Sequence, residues 1–254
     1  GRSGNRLRGR PPPLHGVSGA VTDAQGNAVP ACQLRFQSTL GNGSFSHTIE
    51  SDAQGAFSTT LPEGQYLLTA IPGNQRPEGI GVSELIVDGV QSGVAVMLEP
   101  RFVISGTVTD ASGQPLPDVD VIAERLADWS GADDCIQRAY EGISDSNGRF
   151  ELPVDSGSYS FSLLPQTASG LPRKPAESLF VYADLELDSA KTRLSEAAVV
   201  QGHVFSHSGV PQCGVGIKIF RRVEDEAVLV GQGVSETSNQ EGCSGAYAII
   251  IPAQ

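Results

Sequence analysis

The side chains that most often perform chemistry in proteins are few in this sequence and are scattered along it. The four histidines are His15, His47, His203 and His207. His203 and His207 are four residues apart, a spacing that would place them on one face of a helix, but they flank the predicted end of a strand and its turn. The Gly-x-Ser-x-Gly motif of esterases is absent. We therefore predict no catalytic residue, no metal centre and no bound cofactor.

The cysteines suggest structure rather than catalysis. They are Cys32, Cys135, Cys213 and Cys243, and no Cys-x-x-Cys motif occurs. Cys213 and Cys243 lie 30 residues apart, and we predict a disulfide between them in an oxidising compartment. Cys32 is predicted to be a buried thiol in a strand. Cys135 is either a free thiol or a partner of Cys32.

One acidic stretch could hold a cation. It lies between Arg125 and Gly142 and contains the candidate calcium ligands Asp128, Asp133 and Asp134. Calcium needs six to eight oxygen ligands, and the Asp-x-Asn-x-Asp spacing of calcium loops is missing here. Calcium thus remains only a candidate at this loop.

The elements that position these residues repeat along the chain. One pattern recurs, in which Ser-Gly-x-Val is followed by a turn and a Pro. Its first glycine is Gly19 in the first copy and Gly106 in the second, and a weaker third copy carries Gly202. The glycines are 87 and then 96 residues apart, a period that fits whole domains rather than solenoid units.

Each repeat contains turn signals at fixed places. An Asp opens the first turn and Gly26 or Gly113 closes it, and a second tip ends in Gly55 or Gly148 just before an aromatic residue. Glycine tolerates the positive φ that such tips require. The tips are therefore predicted to join short strands.

The segments between the turns alternate apolar and polar residues, which is typical of half-buried strands. A matching strand starts at Gly64 and Gly157 and carries Tyr66 and Tyr159 at core positions. Seven short strands per copy predict tandem antiparallel β-sandwich domains, an all-β fold of transthyretin-like or Ig-like type. The last strand of the second copy is placed at 192–198.

The repeats divide the chain into four parts. Residues 1–13 form a basic and Pro-rich arm, residues 14–100 and 101–198 form two complete sandwiches, and residues 199–254 form a third that lacks its last strands. We expect this third domain either to be truncated or to be completed by a partner strand.

Composition excludes several functions. The net charge of −12 disfavours binding to nucleic acid and to anionic membrane surfaces. No apolar run reaches the 18 or so residues of a membrane span.

The string Ser105 to Pro117, followed by Asp-x-x-Gly-x-Phe and Gly-x-Tyr-x-Leu motifs, resembles the carboxypeptidase regulatory-like domain family. That family is similar in fold to transthyretin and to Cna B-type repeats. The resemblance implies exported, non-catalytic modules.

We therefore expect a structural or adhesive extracellular protein, either a stalk segment or a subunit of a cell-surface fibre or complex. It would associate with a protein partner or with itself through the open third domain, at the cell surface, in the medium or in a bacterial periplasm. The alternative is a carbohydrate-binding accessory module of a secreted hydrolase, with a glycan as ligand.

Overall fold

The computed structural model describes residues 12–39, 45–126, 136, 138–223, 225–236 and 242–253. These residues form eighteen strands, one four-residue α-helix and one short 3-10 turn, which confirms the predicted all-β class. The chain divides into two compact units, Gly1–Arg101 and Phe102–Gln254. The first copy of the repeat lies in unit 1, and the second and third copies lie in unit 2. The predicted boundary at residue 198 within unit 2 stays a prediction.

Unit 1 is a sandwich of two sheets. Its strands are β1 (Leu14–Asp23), β2 (Gln33–Ser38), β3 (Ser46–Glu50), β4 (Ala56–Pro62), β5 (Gly64–Ile71), β6 (Gly81–Val87) and β7 (Gln91–Leu98). One sheet has the order β4-β1-β7 and the other the order β3-β2-β5-β6. The two inner faces supply one apolar core that includes Val21, Leu34, Phe36, Tyr66 and Leu98.

The first part of unit 2 repeats this arrangement. Its strands are β8 (Phe102–Thr107), β9 (Val119–Arg125), β10 (Ala139–Ile143), β11 (Arg149–Val154), β12 (Gly157–Pro165), β13 (Lys174–Val181) and β14 (Leu185–Glu186). They form sheets of order β11-β8-β14 and β10-β9-β12-β13. The core again comes from both sheets and includes Ile104, Val121, Phe150, Tyr159 and Leu163.

Two strand predictions need correction. The strand predicted at 192–198 is absent, because helix α1 (Ser189–Thr192) follows β14 and residue 197 already starts the next copy. The carboxylate of Asp188 caps this helix by accepting from the backbone N–H groups of Ala190 and Lys191. The sandwiches are also not wholly antiparallel, since β7 runs parallel to β1 and β14 runs parallel to β8. The reason is that β7 and β14 cross over from the opposite sheet instead of forming a hairpin with the first strand.

The third copy contributes four described strands. They are β15 (Ala197–His203), β16 (Gly216–Val223), β17 (Glu226–Val234) and β18 (Ala246–Pro252). β15 pairs with β18, and β16 pairs with β17, in two antiparallel two-stranded sheets. Among the described residues of this copy, Val230 and Ile249 are the buried apolar side chains with the least exposure. Its core is therefore much smaller than the other two.

Candidate assembly surface

The glycine of each first strand lies opposite an aromatic residue. The cross-strand pairs are Gly19 with Phe57, Gly106 with Phe150, and Gly202 with Tyr247. In each pair the ring lies over the glycine, where a Cβ atom would come within 3.1 Å of a ring atom. Gly19 also contacts the last strand, since its Cβ would lie 1.9 Å from the carbonyl oxygen of Val94. These glycines let a ring and a neighbouring strand approach the backbone.

The tip glycines adopt the predicted left-handed backbone. Gly26 and Gly113 have φ of 85° and 87°, and Gly55 and Gly148 both have φ of 73°. A Cβ atom at Gly26 or Gly113 would meet open space, whereas at Gly55 or Gly148 it would lie 2.5 Å from a backbone carbonyl oxygen. The second tip is thus doubly restricted to glycine.

Carboxylates fix both kinds of tip. Asp52 Oδ1 accepts from the backbone N–H groups of Gln54 and Ala56 at 2.9 and 2.8 Å. Asp23 makes the corresponding bonds at the first tip and also accepts from the side-chain amide of Asn27, which lowers the pKa of Asp23. At Asp110 the hydroxyl of Ser112 lowers the pKa in the same way. The aspartates therefore act as turn formers, not as acid–base groups.

A buried serine, which the sequence analysis missed, recurs in all three copies. The residues are Ser51, Ser144 and Ser235. Ser144 Oγ donates to the Leu116 carbonyl at 2.8 Å and accepts from the Val119 N–H at 3.0 Å, and the other two serines make equivalent bonds. The residue that donates its N–H to each serine follows a residue with positive φ, so the serine fixes a bend in the chain. The residues with positive φ are Ala31, Asp118 and Gly214. The only sequence signal was a serine at one place in each copy.

The two predicted core tyrosines are equivalent and buried. The hydroxyl of Tyr66 donates to the Pro62 carbonyl at 2.8 Å, and the hydroxyl of Tyr159 donates to the Asp155 carbonyl at 2.7 Å. Both bonds reach four residues back, so each tyrosine holds the corner between two strands while its ring fills the core. Burial raises the pKa of Tyr66.

A buried charged cluster sits in the second copy. The guanidinium of Arg138 lies 3.1 Å from the carboxylate of Asp155, and their side chains are 7% and 1% exposed. The Tyr140 hydroxyl donates to the same carboxylate. Burial, and then the bond to Asp155, raise the pKa of Tyr140. A buried charge held by several polar partners is a structural anchor, and it fixes the start of β10 against the end of β11.

The segment that leaves unit 1 is bonded back to the loop between β5 and β6. The Gly79 N–H donates to the Glu99 carbonyl at 2.8 Å, and the Arg101 N–H donates to the Pro77 carbonyl at 2.9 Å. Glu78, in the same loop, is buried and bonded by Arg76 at 2.8 Å, which lowers the pKa of Glu78. Residues 99–101 are therefore part of unit 1 and not a free linker.

The predicted disulfide partners are joined in the third copy. Cys213 and Cys243 form a disulfide with a Cα–Cα distance of 5.7 Å. Cys32 is buried in unit 1, while Cys135 lies outside the described residues. The calcium candidates Asp128, Asp133 and Asp134 lie outside them too, as do residues 1–11 of the predicted arm.

The spacing His-x-x-Glu occurs at His47 and Glu50, but it does not build a metal site. Both residues lie in β3, where residues three apart point to opposite faces. His47 Nε2 instead hydrogen-bonds the Thr59 hydroxyl at 2.8 Å. Within the part of the chain that the structure describes, no three His, Cys, Asp or Glu side chains come together as metal ligands.

The third copy presents open strand edges among the described residues. β2 and β9 each pair with two strands, but the corresponding β16 pairs with β17 alone. β1 and β8 likewise have two partners, whereas β15 has β18 alone. A groove of about 690 Å³ runs beside Gly202, His203 and Tyr247. Another of about 610 Å³ crosses β16 and β17 at Ile217 and Val234.

A second exposed surface lies on the outer face of β13. Phe180 and Tyr182 are 69% and 65% exposed and flank the buried Val181. Ser158 is the cross-strand partner of Phe180, and Ser160 is the partner of Ser178. The Phe180 ring therefore lies on the same face of the sheet as the side chains of Ser158, Ser160 and Ser178.

None of the helices in the described part of the chain has the length and apolar character needed to cross a membrane.

Comparison with known proteins gives distant similarities. No family model matches the chain. Halomucin of Haloquadratum walsbyi is 23% identical over 167 residues, a region that is 63% of this chain and 2% of halomucin. This chain thus spans only a small part of that relative.

Two pilins are among the solved structures that this chain resembles. A streptococcal ancillary pilin has 15% identity and a TM-score of 0.38, with 71% of this chain and 62% of the pilin covered. The shaft pilin SpaA of Lactobacillus rhamnosus GG has 10% identity and a TM-score of 0.32, with 72% of this chain and 96% of the pilin covered. These values are too low to support an argument about function.

Proposed function

We propose that this protein is a non-catalytic extracellular structural protein built from β-sandwich repeats, either a stalk segment or a subunit of a cell-surface fibre or complex. The observation that carries the proposal is that the features shared by the three copies are turn, core and backbone-bonding residues. The glycine–aromatic pairs and the buried serines are examples. A repeated unit whose shared residues serve its own fold is suited to act as a spacer. Membership of the carboxypeptidase regulatory-like family remains part of this proposal.

The location can be tested directly in the source cells. Antibodies raised against the purified chain should label intact cells as strongly as permeabilised cells. Labelling that requires permeabilisation would place the protein inside the cell and contradict the proposal.

The open third copy is the proposed point of association. Among the residues that the structure describes, β15 and β16 each present one edge whose equivalent in unit 1 is paired, and such an edge can accept a strand of another molecule. For self-association, hydrogen exchange of the β16 amides should slow as the protein concentration rises. The β2 amides provide the internal control, since β2 is paired on both sides. Exchange of β16 that does not depend on concentration would rule out self-association through this edge.

The carbohydrate alternative is favoured by one observation, the exposed ring of Phe180 beside Ser158, with the exposed ring of Tyr182 two residues further along the chain. An aromatic ring can stack on the apolar face of a sugar while neighbouring hydroxyls bond to it. Neutral soluble polysaccharides should then retard the protein in native gels. F180A should abolish the retardation, and I86A, at the equivalent position in β6, should not. Equal behaviour of the two variants would dismiss this alternative.

A further inference from the structure

The first and last strands of unit 1 lie side by side and run in the same direction. β1 and β7 pair in one register over five residues, from Gly19 with Val94 to Asp23 with Leu98, and Val17 pairs with Gln91 on the other side of a bulge. The chain enters β1 at Leu14 and leaves β7 at Leu98. Because the strands are parallel, the entry and the exit lie at opposite ends of the pair. Tension along the chain thus slides the two strands past each other and loads their hydrogen bonds together.

Side-chain packing opposes such sliding. Val17 and Val21 of β1 and Val96 and Leu98 of β7 are buried in one core. A shift of one residue would turn these side chains away from the core. A shift of two residues would keep them facing the core but would move all of them out of their packing positions together. Because Gly19 has no side chain, the Val94 carbonyl can lie close to the backbone of β1. On its other edge β1 is paired with β4 over seven residues.

The equivalent pair in the second copy is much shorter. β14 is in register with β8 through two residue pairs, Leu185 with Ile104 and Glu186 with Ser105. Helix α1 then interrupts the pairing, which resumes as the single bridge between Thr109 and Arg193. Three backbone hydrogen bonds outside the strands also join these segments, from Leu187 N–H to the Ser105 carbonyl, from Thr109 N–H to the Thr192 carbonyl and from Leu194 N–H to the Thr109 carbonyl. The continuous ladder that shares the load is nevertheless shorter in this copy.

We propose that the sandwich of unit 1 is a tension-bearing module, loaded in shear through β1 and β7, and that the second sandwich yields before it. This mechanical role goes beyond the proposed structural function. It follows from strand direction and register, so it can be tested whether or not the protein is located on a cell surface.

The test is single-molecule stretching of the full chain, tethered at its two ends. The event at the highest force should release about 300 Å of chain, the extended length of the residues from Leu14 to Leu98. To assign the events, a flexible insert of about 20 residues in the exposed turn at Gly113 marks the second sandwich, lengthening its event by about 70 Å. The lengthened event should occur at lower force. A lengthened event at the highest force would overturn the proposed order.

A change of tether position tests the loading direction. A ligation tag at Gln25, in the exposed turn after β1, applies force at the end of β1 that lies next to the exit of β7. The same strands are then peeled apart one bond after another, and the force of the unit 1 event should fall several-fold. Thermal melting of the tagged protein should match that of the untagged protein, which shows that the tag leaves the fold intact. An unchanged unfolding force would refute shear loading.

Discussion

At the residue scale, the sequence predicts positions well where a single backbone constraint acts. The positive φ of Gly55 and Gly148 was expected from an Asp three residues earlier and an aromatic two residues later. The bends at Ala31 and Asp118 were not expected, because neither residue type signals positive φ. A buried serine that closes the bend overrides the local preference there, and its partners are residues 19 to 28 positions away.

The two kinds of tip glycine provide a matched comparison. Alanine at Gly26 would pay only for its left-handed backbone, about 1 kcal/mol, because space is open there. Alanine at Gly55 would also press on the Val21 carbonyl, and we expect an additional loss of about 2 kcal/mol in the free energy of unfolding. Urea denaturation of G26A and G55A measures both. Equal losses would show that the second tip relaxes freely.

The buried serines should matter more than exposed ones. In S144A the Val119 N–H and the Leu116 carbonyl lose their partner inside the protein, which should cost about 2 kcal/mol. S146A, two residues away at an exposed site, should change stability by less than about 0.5 kcal/mol. The difference between the two variants in chemical denaturation checks the role of the buried hydroxyl.

At the element scale, strand prediction was correct where alternation and turn signals coincide and failed at the end of the second copy. There the pairing strand has two residues and a helix cap follows at Asp188. A strand of two residues is too short to show an alternating pattern. Its position is set by parallel pairing with β8 and not by the local sequence. The completion of the third copy by a partner strand stays a prediction, whereas the aromatic face of β13 was not predicted.

The tyrosine corners should stabilise their sandwiches through the ring and the hydroxyl separately. Truncation in Y66A or Y159A removes a buried ring and should cost roughly 3 to 5 kcal/mol. Y66F or Y159F keeps the ring and loses the bond to the upstream carbonyl, at a cost of about 1 kcal/mol. Thermal melts of the full chain distinguish these losses. A cost below about 1 kcal/mol for the alanine variants would mean that the ring is not part of the core.

The third copy should depend on its disulfide more than on its core. Val230 and Ile249 are its most buried apolar residues in the described part, while the disulfide closes a loop of 30 residues, worth about 3 to 4 kcal/mol. In the double variant C213S/C243S, hydrogen exchange should accelerate in β16 to β18. The strands of unit 1 serve as the internal control. Unchanged protection of β16 would show that packing alone maintains this copy.

At the scale of the whole molecule, we expect the ion pair of the buried Glu78 to contribute to the response to pH. Arg76 lowers the folded-state pKa of Glu78, so the ion pair contributes stability above the unfolded pKa of about 4.3. That contribution is lost as the pH falls through the lower folded value. Unit 1 of the wild-type protein should therefore melt at a similar temperature from pH 7 to about 5 and at a falling temperature below about 4.

In E78Q the fall in melting temperature with pH should be shallower, because the neutral amide has no proton to gain, and the melting temperature at pH 7 should be lower. Hydrogen exchange of β5 and β6, measured between pH 3 and 7 and corrected for intrinsic rates, assigns the effect to unit 1. The same slope in wild type and E78Q would place the acid sensitivity in other carboxylates.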